Sequence, residues 1–325
     1  MFCTFPKRAK CCTGSGHEHR GRYFPILAMA LFGYLIAHFN VLRGRDIEGI
    51  SRFVFNIAIP VLLFNSLAHI ELPHHINWQF MLSYYSVALF IFGLGLWASQ
   101  RWFAHSPQEQ GIFGLGASYS NLILVGLRII SAGLGEEALL PLFMLVSVHS
   151  AILFFIVTLL VERGNGQGHS ARKIATQTGK NLARNPIILS LLLGLLFNLL
   201  AIPLPQVVKD TLDIFSDATL PCALFVLGAS LKAYKIAGHF REAWVMIGLK
   251  MVLQPLLVGL LVFGVFHLDP LWAAVAVMAA GMPIGVNATI FAHKYQVGVA
   301  PLSTAILLST VLAVVSESVL LALFT

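Results

Sequence analysis

Two glycine-rich apolar segments of the sequence contain side chains that are suited to binding an anion. The first segment contains Asn121, Gly126 and Arg128, and the second contains Pro283 and Asn287. An asparagine amide donates hydrogen bonds, and a guanidinium can hold a carboxylate through two parallel hydrogen bonds. These five residues are the candidate binding residues, and the predicted chemistry is recognition of a negatively charged group.

The sequence contains no pattern that is typical of an enzyme or of a metal centre. A nucleophile elbow, a phosphate-binding loop, an HExxH motif and a haem or iron–sulfur cysteine pattern are all absent from it. His149 and His293, which lie in or at the end of apolar segments, are candidates for a proton relay. We therefore predict that the protein is not an enzyme and has no cofactor, no metal and no disulfide framework; an adjacent cysteine pair in the tail could carry a lipid. The cysteines are Cys3, Cys11, Cys12 and Cys222.

The composition places these residues in a membrane protein. Of the 325 residues, 58% are hydrophobic and only 11% are charged, and the mean hydropathy is +0.82. A soluble protein has about 25% charged residues. The net charge of +7 does not indicate nucleic acid, because the basic residues lie between apolar runs, where they determine orientation in the membrane. The predicted class is an all-α integral membrane protein.

Apolar runs of spanning length predict ten transmembrane helices, since about 20 residues cross a bilayer. A basic tail, residues 1–23, precedes a first set of five spans, residues 24–161. A polar linker, residues 162–185, leads to a second set of five, residues 186–325. The runs lie near residues 24–42, 51–69, 78–99, 111–134, 138–161, 186–203, 211–231, 242–266, 271–293 and 300–324.

The fourth and ninth predicted spans contain the candidate binding residues, and both are expected to be broken helices. Proline removes a helix hydrogen bond and glycine weakens a helix, so each span can open near the middle of the membrane. Open backbone at that depth is tolerated only inside protein or beside water, and a half-helix N-terminus there attracts anions. The alternative is that the small residues only permit close packing and that proline only kinks its helix.

Four further polar residues within predicted spans are candidates for coupling or support, namely Asn56, Asp217, Lys250 and Glu317. A charge inside the bilayer is costly unless it is paired or hydrated. The same argument gives Arg128 a structural alternative, in which Asp217 or Glu317 holds it. Lys250 has the alternative of extending toward the membrane interface.

The distribution of Lys and Arg predicts the orientation. The odd-numbered connections contain twelve Lys and Arg residues, whereas the even-numbered connections contain only Lys209. The positive-inside rule then places the linker in the cytoplasm and both termini outside. Five basic residues in the tail favour the opposite orientation.

The two sets of five spans show a trace of internal duplication. In the second span, Asn56 lies four residues before Pro60, and in the seventh, Asp217 lies four residues before Pro221; Leu-Phe follows three residues after each proline. A repeat with an odd number of spans must enter the membrane upside down in its second copy. Inverted repeats with broken helices in matching positions indicate the binding site of a secondary transporter.

Through nearly the whole chain after the tail, the sequence resembles the auxin efflux carrier family, which includes bacterial dicarboxylate permeases and the plant PIN-FORMED carriers. In this sequence Arg128 stands where family members usually have proline. The matching elements are Asn121 with Gly126, Asn185-Pro186 with Gly194, Leu220-Pro221 with Gly228, Lys250 with Pro255, and Pro283 with Asn287.

The resemblance implies a fold of two inverted five-helix repeats, with a scaffold domain and a transport domain whose fourth and ninth helices cross at their breaks. It also implies an organic anion as the substrate, bound near that crossover by Asn121, Pro283 and Asn287. Where the linker ends and the sixth span begins, Asn185 followed by Pro186 is typical of a helix start.

The predicted function is secondary transport of a small organic anion, such as a carboxylate, by alternating access. The alternatives are an ion-coupled symporter or antiporter of similar fold, which would be expected to have acidic residues at the breaks, and a membrane-embedded sensor or channel. The predicted location is the cell membrane, which in a bacterium is the inner membrane, with the chain crossing it several times. The partners are the substrate and the lipid bilayer, with no nucleic acid; proton coupling and a homodimer are left open.

Overall fold

A computed structural model of the protein describes residues 28–69, 77–164, 176, 179–180, 183–232 and 239–324. The basic tail with Cys3, Cys11 and Cys12, and most of the linker, lie outside the described residues. Their predicted roles stay predictions.

The described part of the chain consists of helices joined by short connections, with one isolated antiparallel bridge between Ser120 and Ile284. The helices are α1 (Ala28–His38), α2 (Gly44–His69), α3 (Trp78–Phe103), α4 (Pro107–Ser118), α5 (Leu122–Leu134), α6 (Leu139–Gly164), α7 (Pro186–Leu199), α8 (Gln206–Leu231), α9 (Phe240–Val265), α10 (Pro270–Gly281), α11 (Ala288–Tyr295) and α12 (Val299–Ala322).

Within the described ranges, six helices are long and apolar enough to cross a membrane, namely α2, α3, α6, α8, α9 and α12. Shorter apolar helices are α1, α5, α7 and α10. The structure therefore confirms an all-helical membrane protein, while the arrangement as ten spans in two inverted repeats stays a prediction.

Local sequence explains where several helices begin. Asn185 Oδ1 accepts a hydrogen bond from Ile187 N at 2.9 Å, and Pro186 occupies the first turn of α7, as the sequence predicted. Asp269 caps α10 in the same way, again with proline following. Both helices begin at these caps because the side-chain oxygen satisfies a backbone N–H that has no partner within the helix.

The helices pack in two groups. Helices α7 and α8 each pack against α2, and α1 lies against α8; we call these the four-helix group. Helices α3 to α6 and α9 to α12 form the second, crossover group. Close approach within each group depends on glycine: a Cβ at Gly194 of α7 would lie 2.8 Å from Phe64 O of α2, and one at Gly95 of α3 would lie 2.9 Å from Gly114 Cα of α4. Small residues allow such contact between membrane helices.

Candidate functional site

Two helix breaks meet in the crossover group and form its polar centre. Helix α4 ends at Ser118 and helix α10 ends at Gly281, and the chain after each is extended. The extended segments pair antiparallel, with Asn121 N donating to Pro283 O and Gly285 N donating to Tyr119 O, both at 2.9 Å. Each break therefore satisfies backbone groups of the other, as backbone away from water requires.

Side chains of two neighbouring helices bind the amides in the middle of the breaks. On α6, His149 Nε2 accepts a hydrogen bond from Ser120 N at 3.0 Å. On α12, Ser309 Oγ accepts one from Ile284 N at 3.2 Å. Because Nε2 is an acceptor, the neutral imidazole carries its proton on Nδ1. In both contacts a side chain of a neighbouring helix accepts a hydrogen bond from a backbone N–H in the middle of a break. The two extended segments are therefore held open in the same way.

The crossover cavity lies beside this pairing and is lined by polar side chains of both breaks. Tyr119, Asn121, His149, Ser150 and Asn287 contribute to its wall. The Tyr119 hydroxyl forms a hydrogen bond with Ser150 Oγ at 2.8 Å and also interacts with the Asn287 side chain. The centre of a water molecule has about 20 Å³ in which to move. That is room for about one water molecule, so an organic molecule does not fit in this conformation.

Two helices begin at the wall of the crossover cavity. Helix α5 begins directly after Asn121, and helix α11 begins directly after Asn287. Neither asparagine side chain caps its own helix, and Asn121 Nδ2 is buried without a hydrogen-bond partner. The N-termini carry partial positive charge. The arrangement thus offers an unused amide donor and two positive helix ends to a negatively charged group.

The other predicted binding residues lie close to the crossover but not in this cavity. Pro283 contributes its carbonyl to the pairing. Gly126 is buried, and its N–H donates to Asn121 O at 3.0 Å. The break at residues 119–121 precedes Arg128, so it forms without a proline at that position.

Arg128 lines a second, larger cavity, which we call the Arg128 cavity. It has a volume of about 1320 Å³ and is lined by α2, α5, α8 and the start of α6 and α10. Arg128 is partly exposed there. The ion pairs among the described residues are Glu48–Arg52, His105–Glu242 and His239–Glu242, so neither of the expected acidic partners holds Arg128. The other charged side chains of the cavity are Glu136, Glu137, Lys209, Asp213 and Asp217.

A third cavity, of about 760 Å³, lies at the opposite end of α2, and we call it the Lys232 cavity. Its wall includes Lys232 of α8 and His293 of α11. Helix α2 borders all three cavities in order: Ser51 lines the Lys232 cavity, Phe55 the crossover cavity and Leu62 the Arg128 cavity. The crossover cavity therefore lies between the two larger ones, where the four-helix group meets the crossover group.

The four candidates for coupling or support occupy three different environments. Asn56 is exposed on α2 and lines none of these cavities, whereas Asp217 lines the Arg128 cavity. Lys250 and Glu317 are buried inside the crossover group, and Lys250 Nζ donates to Ala280 O in the last turn of α10. None of the four reaches the crossover cavity.

Sequence reasoning missed Tyr119 and Ser309 and considered His149 only as a proton relay. Tyr119 directly precedes the residues that were identified, so its position beside a predicted break was the available signal. Ser309 lies in an apolar helix, and its role depends on which helix packs against the second break. No pattern in the sequence predicts that contact.

The fold and the crossover define a class: a multi-pass helical membrane protein with a polar site between two broken helices. Comparison with known proteins identifies the family. The family model described as "Membrane transport protein" matches residues 21–321 of the sequence. The chain belongs to this family, which includes the auxin efflux carriers. It is a membrane transporter and not an enzyme, and it is a multi-pass protein of the cell membrane.

Two relatives show how far the similarity extends. The "Putative malonate transporter" of Rhizobium meliloti (strain 1021) is 25% identical over 308 residues, which cover 94% of this chain and 95% of that protein. Auxin efflux carrier component 5 of Arabidopsis thaliana is 24% identical, over 87% of this chain and 90% of the relative. The similarity therefore includes both breaks and both groups of helices.

Proposed function

We propose that the protein is a secondary carrier that moves a small organic anion, such as a carboxylate, across the membrane by alternating access. The observation that carries the proposal is the pairing of two helix breaks beside a cavity that receives two helix N-termini and the unpartnered amide of Asn121. Such a site attracts an anion through partial charges and hydrogen bonds, with no need for a bound cation. We further propose that ten spans in two inverted repeats form this site.

The composition of the crossover cavity supports an anion over a cation. Among the described residues, no aspartate or glutamate lines it, and its polar groups are the amides, hydroxyls and imidazole already named. A site for a coupling cation at the breaks would be expected to contain carboxylate oxygens, which hard cations prefer. The name of the Rhizobium meliloti relative refers to malonate, and we therefore propose mono- and dicarboxylates as the substrate class.

The three cavities along α2 support the alternating-access mechanism. The crossover cavity holds about one water molecule, while the Lys232 and Arg128 cavities are each many times larger. A carboxylate must therefore open the crossover to bind, and a rearrangement of the two helix groups would expose it to one large cavity at a time. Arg128 lies seven residues beyond Asn121, and we propose that it holds the anion on its way between the Arg128 cavity and the crossover.

Transport by purified protein tests this proposal. Protein in lipid vesicles should take up radiolabelled malonate or another small carboxylate with a rate that saturates as concentration rises. Asn121→Ala and Asn287→Ala should each weaken binding by about five- to tenfold, since a hydrogen bond contributes about 1 kcal/mol. Asn56→Ala is the matched control, because this asparagine is exposed on α2 and lines none of the three cavities.

Three results would contradict the proposal. Flux that rises linearly without saturation would indicate a channel. Binding of a carboxylate without any flux would indicate a sensor. Equal loss of affinity in all three asparagine variants would remove the assignment of the site to the crossover.

A further inference from the structure

Three buried polar side chains lie in the crossover group without reaching the crossover cavity. Lys250 and Gln254 of α9 are each 0% exposed, and Glu317 of α12 is 2% exposed. Two of them contact the last turn of α10 at consecutive residues. Lys250 Nζ donates to Ala280 O, and a Cβ on Gly281 would lie 3.0 Å from Glu317 Oε1. We call Lys250 and Glu317 the buried pair.

The glutamate of the buried pair has no hydrogen-bond partner in the described structure. Both of its carboxyl oxygens are buried and unpartnered, as are both polar atoms of the Gln254 amide. Lys250 and Glu317 interact electrostatically but form no direct ion pair. An ionised carboxylate in such surroundings is costly, whereas a protonated carboxyl is much less so. The packing observed around Glu317 is thus that expected for a neutral acid.

Of the charged side chains on the helices around Glu317, Lys250 is the one that can act as its counterion. Helix α10 presents Gly281, and helix α5 packs one turn away through Gly133, against Leu321. Arg128, also on α5, instead opens into the Arg128 cavity. Among the described residues, Lys250 is the charged side chain that acts on Glu317. On α6, His149 is within the electrostatic reach of Lys250, but it faces the crossover, where it accepts from Ser120 N.

We propose that Glu317 is the proton-binding site that couples transport to a pH gradient, and that Lys250 transmits its protonation state to the crossover. This inference rests on the proposed carrier function. When Glu317 binds one proton its carboxyl group is neutral, and the Lys250 ammonium stays on Ala280 O. When the proton leaves, the carboxylate attracts the ammonium and draws it away from Ala280 O.

The consequence of that movement lies at the second break. Ala280 is in the last turn of α10 and lies three residues before Pro283, whose carbonyl pairs with Asn121 N of the first break. Losing the Lys250 hydrogen bond leaves the Ala280 carbonyl available to the backbone beyond it, so the protonation state changes the stability of the paired segments. One proton bound and released per cycle would balance one negative charge on the substrate, so a monoanion would move without net charge.

Gradient-driven uptake in vesicles tests the inference. The membrane potential is held at zero, radiolabelled carboxylate is supplied on the acidic side, and its accumulation is measured. With one proton per monoanion, a gradient of one pH unit should accumulate substrate up to about tenfold, since one unit corresponds to about 1.36 kcal/mol. Glu317→Gln resembles the protonated state permanently. This variant should still exchange labelled for unlabelled substrate when the concentrations inside and outside the vesicles are equal. It should no longer accumulate substrate in response to the pH gradient.

The control is Glu242→Gln, which removes a carboxylate that is mostly buried elsewhere in the crossover group, with 13% of its side chain exposed. This variant should keep the gradient response. A second measurement addresses folding: Lys250→Met should melt at a lower temperature as the pH rises, because ionised Glu317 then has no counterion, and adding Glu317→Gln should remove that pH dependence.

The outcomes separate this inference from the proposed function. The inference is overturned, and the carrier function is not, if wild-type flux is saturable but does not depend on the pH gradient. The same conclusion follows if the Glu317→Gln variant still accumulates substrate. The same holds if the melting temperature of Lys250→Met has the pH dependence of the wild type. Absence of carboxylate flux in the wild type overturns the carrier function and the inference together.

Discussion

Replacing Arg128 tests whether the charge next to the crossover takes part in anion binding. Arg128 is partly exposed, lines the Arg128 cavity and forms no ion pair among the residues that the structure describes. Arg128→Ala should therefore change the free energy of unfolding by no more than about 0.5 kcal/mol. If Arg128 instead held a buried carboxylate, its removal would cost about 3–5 kcal/mol.

The expected effect on binding follows from the hydrogen bonds between a guanidinium and a carboxylate. A hydrogen bond to a charged group contributes about 1.5–3 kcal/mol. Because Arg128 is partly exposed to the cavity, we expect a value toward the lower end of that range. At about 1.4 kcal/mol per factor of ten, Arg128→Ala should raise Kd about ten- to thirtyfold. Arg128→Lys keeps the charge but loses the planar fork, so its Kd should rise by a smaller factor.

Calorimetric titration of malonate into the wild type and the two variants measures these changes, with melting temperatures recorded on the same samples. Arg101→Ala is the matched control, because Arg101 is an exposed arginine near the end of α3. If Arg128→Ala binds with unchanged affinity, the recognition role is wrong. A melting temperature that falls sharply in both variants would show that the arginine is structural.

Three further predictions concern the crossover and the topology. His149→Ala leaves the buried Ser120 N–H without an acceptor and should destabilise the protein by about 1–3 kcal/mol, whereas His149→Gln should recover part of the loss; equal melting temperatures for both variants would contradict this role. Gly285→Ala places a methyl group against the Tyr119 ring and should cost about 1–3 kcal/mol by overpacking, measured by thermal unfolding. Its transport should fall as well, and a wild-type rate would show that the pairing tolerates a side chain. Cysteine at Gln167, in the predicted cytoplasmic linker, should resist a membrane-impermeant label added to intact cells, and efficient labelling would invert the topology.

The dependence of the site on distant contacts explains why the structure tolerates Arg128. The first break is held by Pro283 O, Gly285 N and the His149 side chain, all of which lie outside the α5 helix. A proline two residues after Gly126 is therefore not needed to open the chain. The position is free for a side chain that lines the Arg128 cavity.

The sequence by itself determined the class of the protein and much of its local structure. Hydrophobic length identifies membrane helices because the thickness of the bilayer sets it, and no tertiary contact is required. The start of α7 at Asn185 and Pro186 was also predictable, since a cap satisfies backbone groups within two residues of itself. Glycine marked the first segment in which a helix breaks, and glycine together with proline marked the second.

Only the tertiary structure decided how the marked residues are arranged. In the tertiary structure the two breaks pair with each other, and the backbone N–H of Ser120 donates a hydrogen bond to His149. The tertiary structure also placed Arg128 in a cavity separate from Asn121, and it brought Lys250 and Glu317 to the same turn of α10. These contacts join helices that are far apart in the sequence. Their partners depend on which faces pack together, because a buried polar group must find its hydrogen bond wherever the packed neighbours supply one.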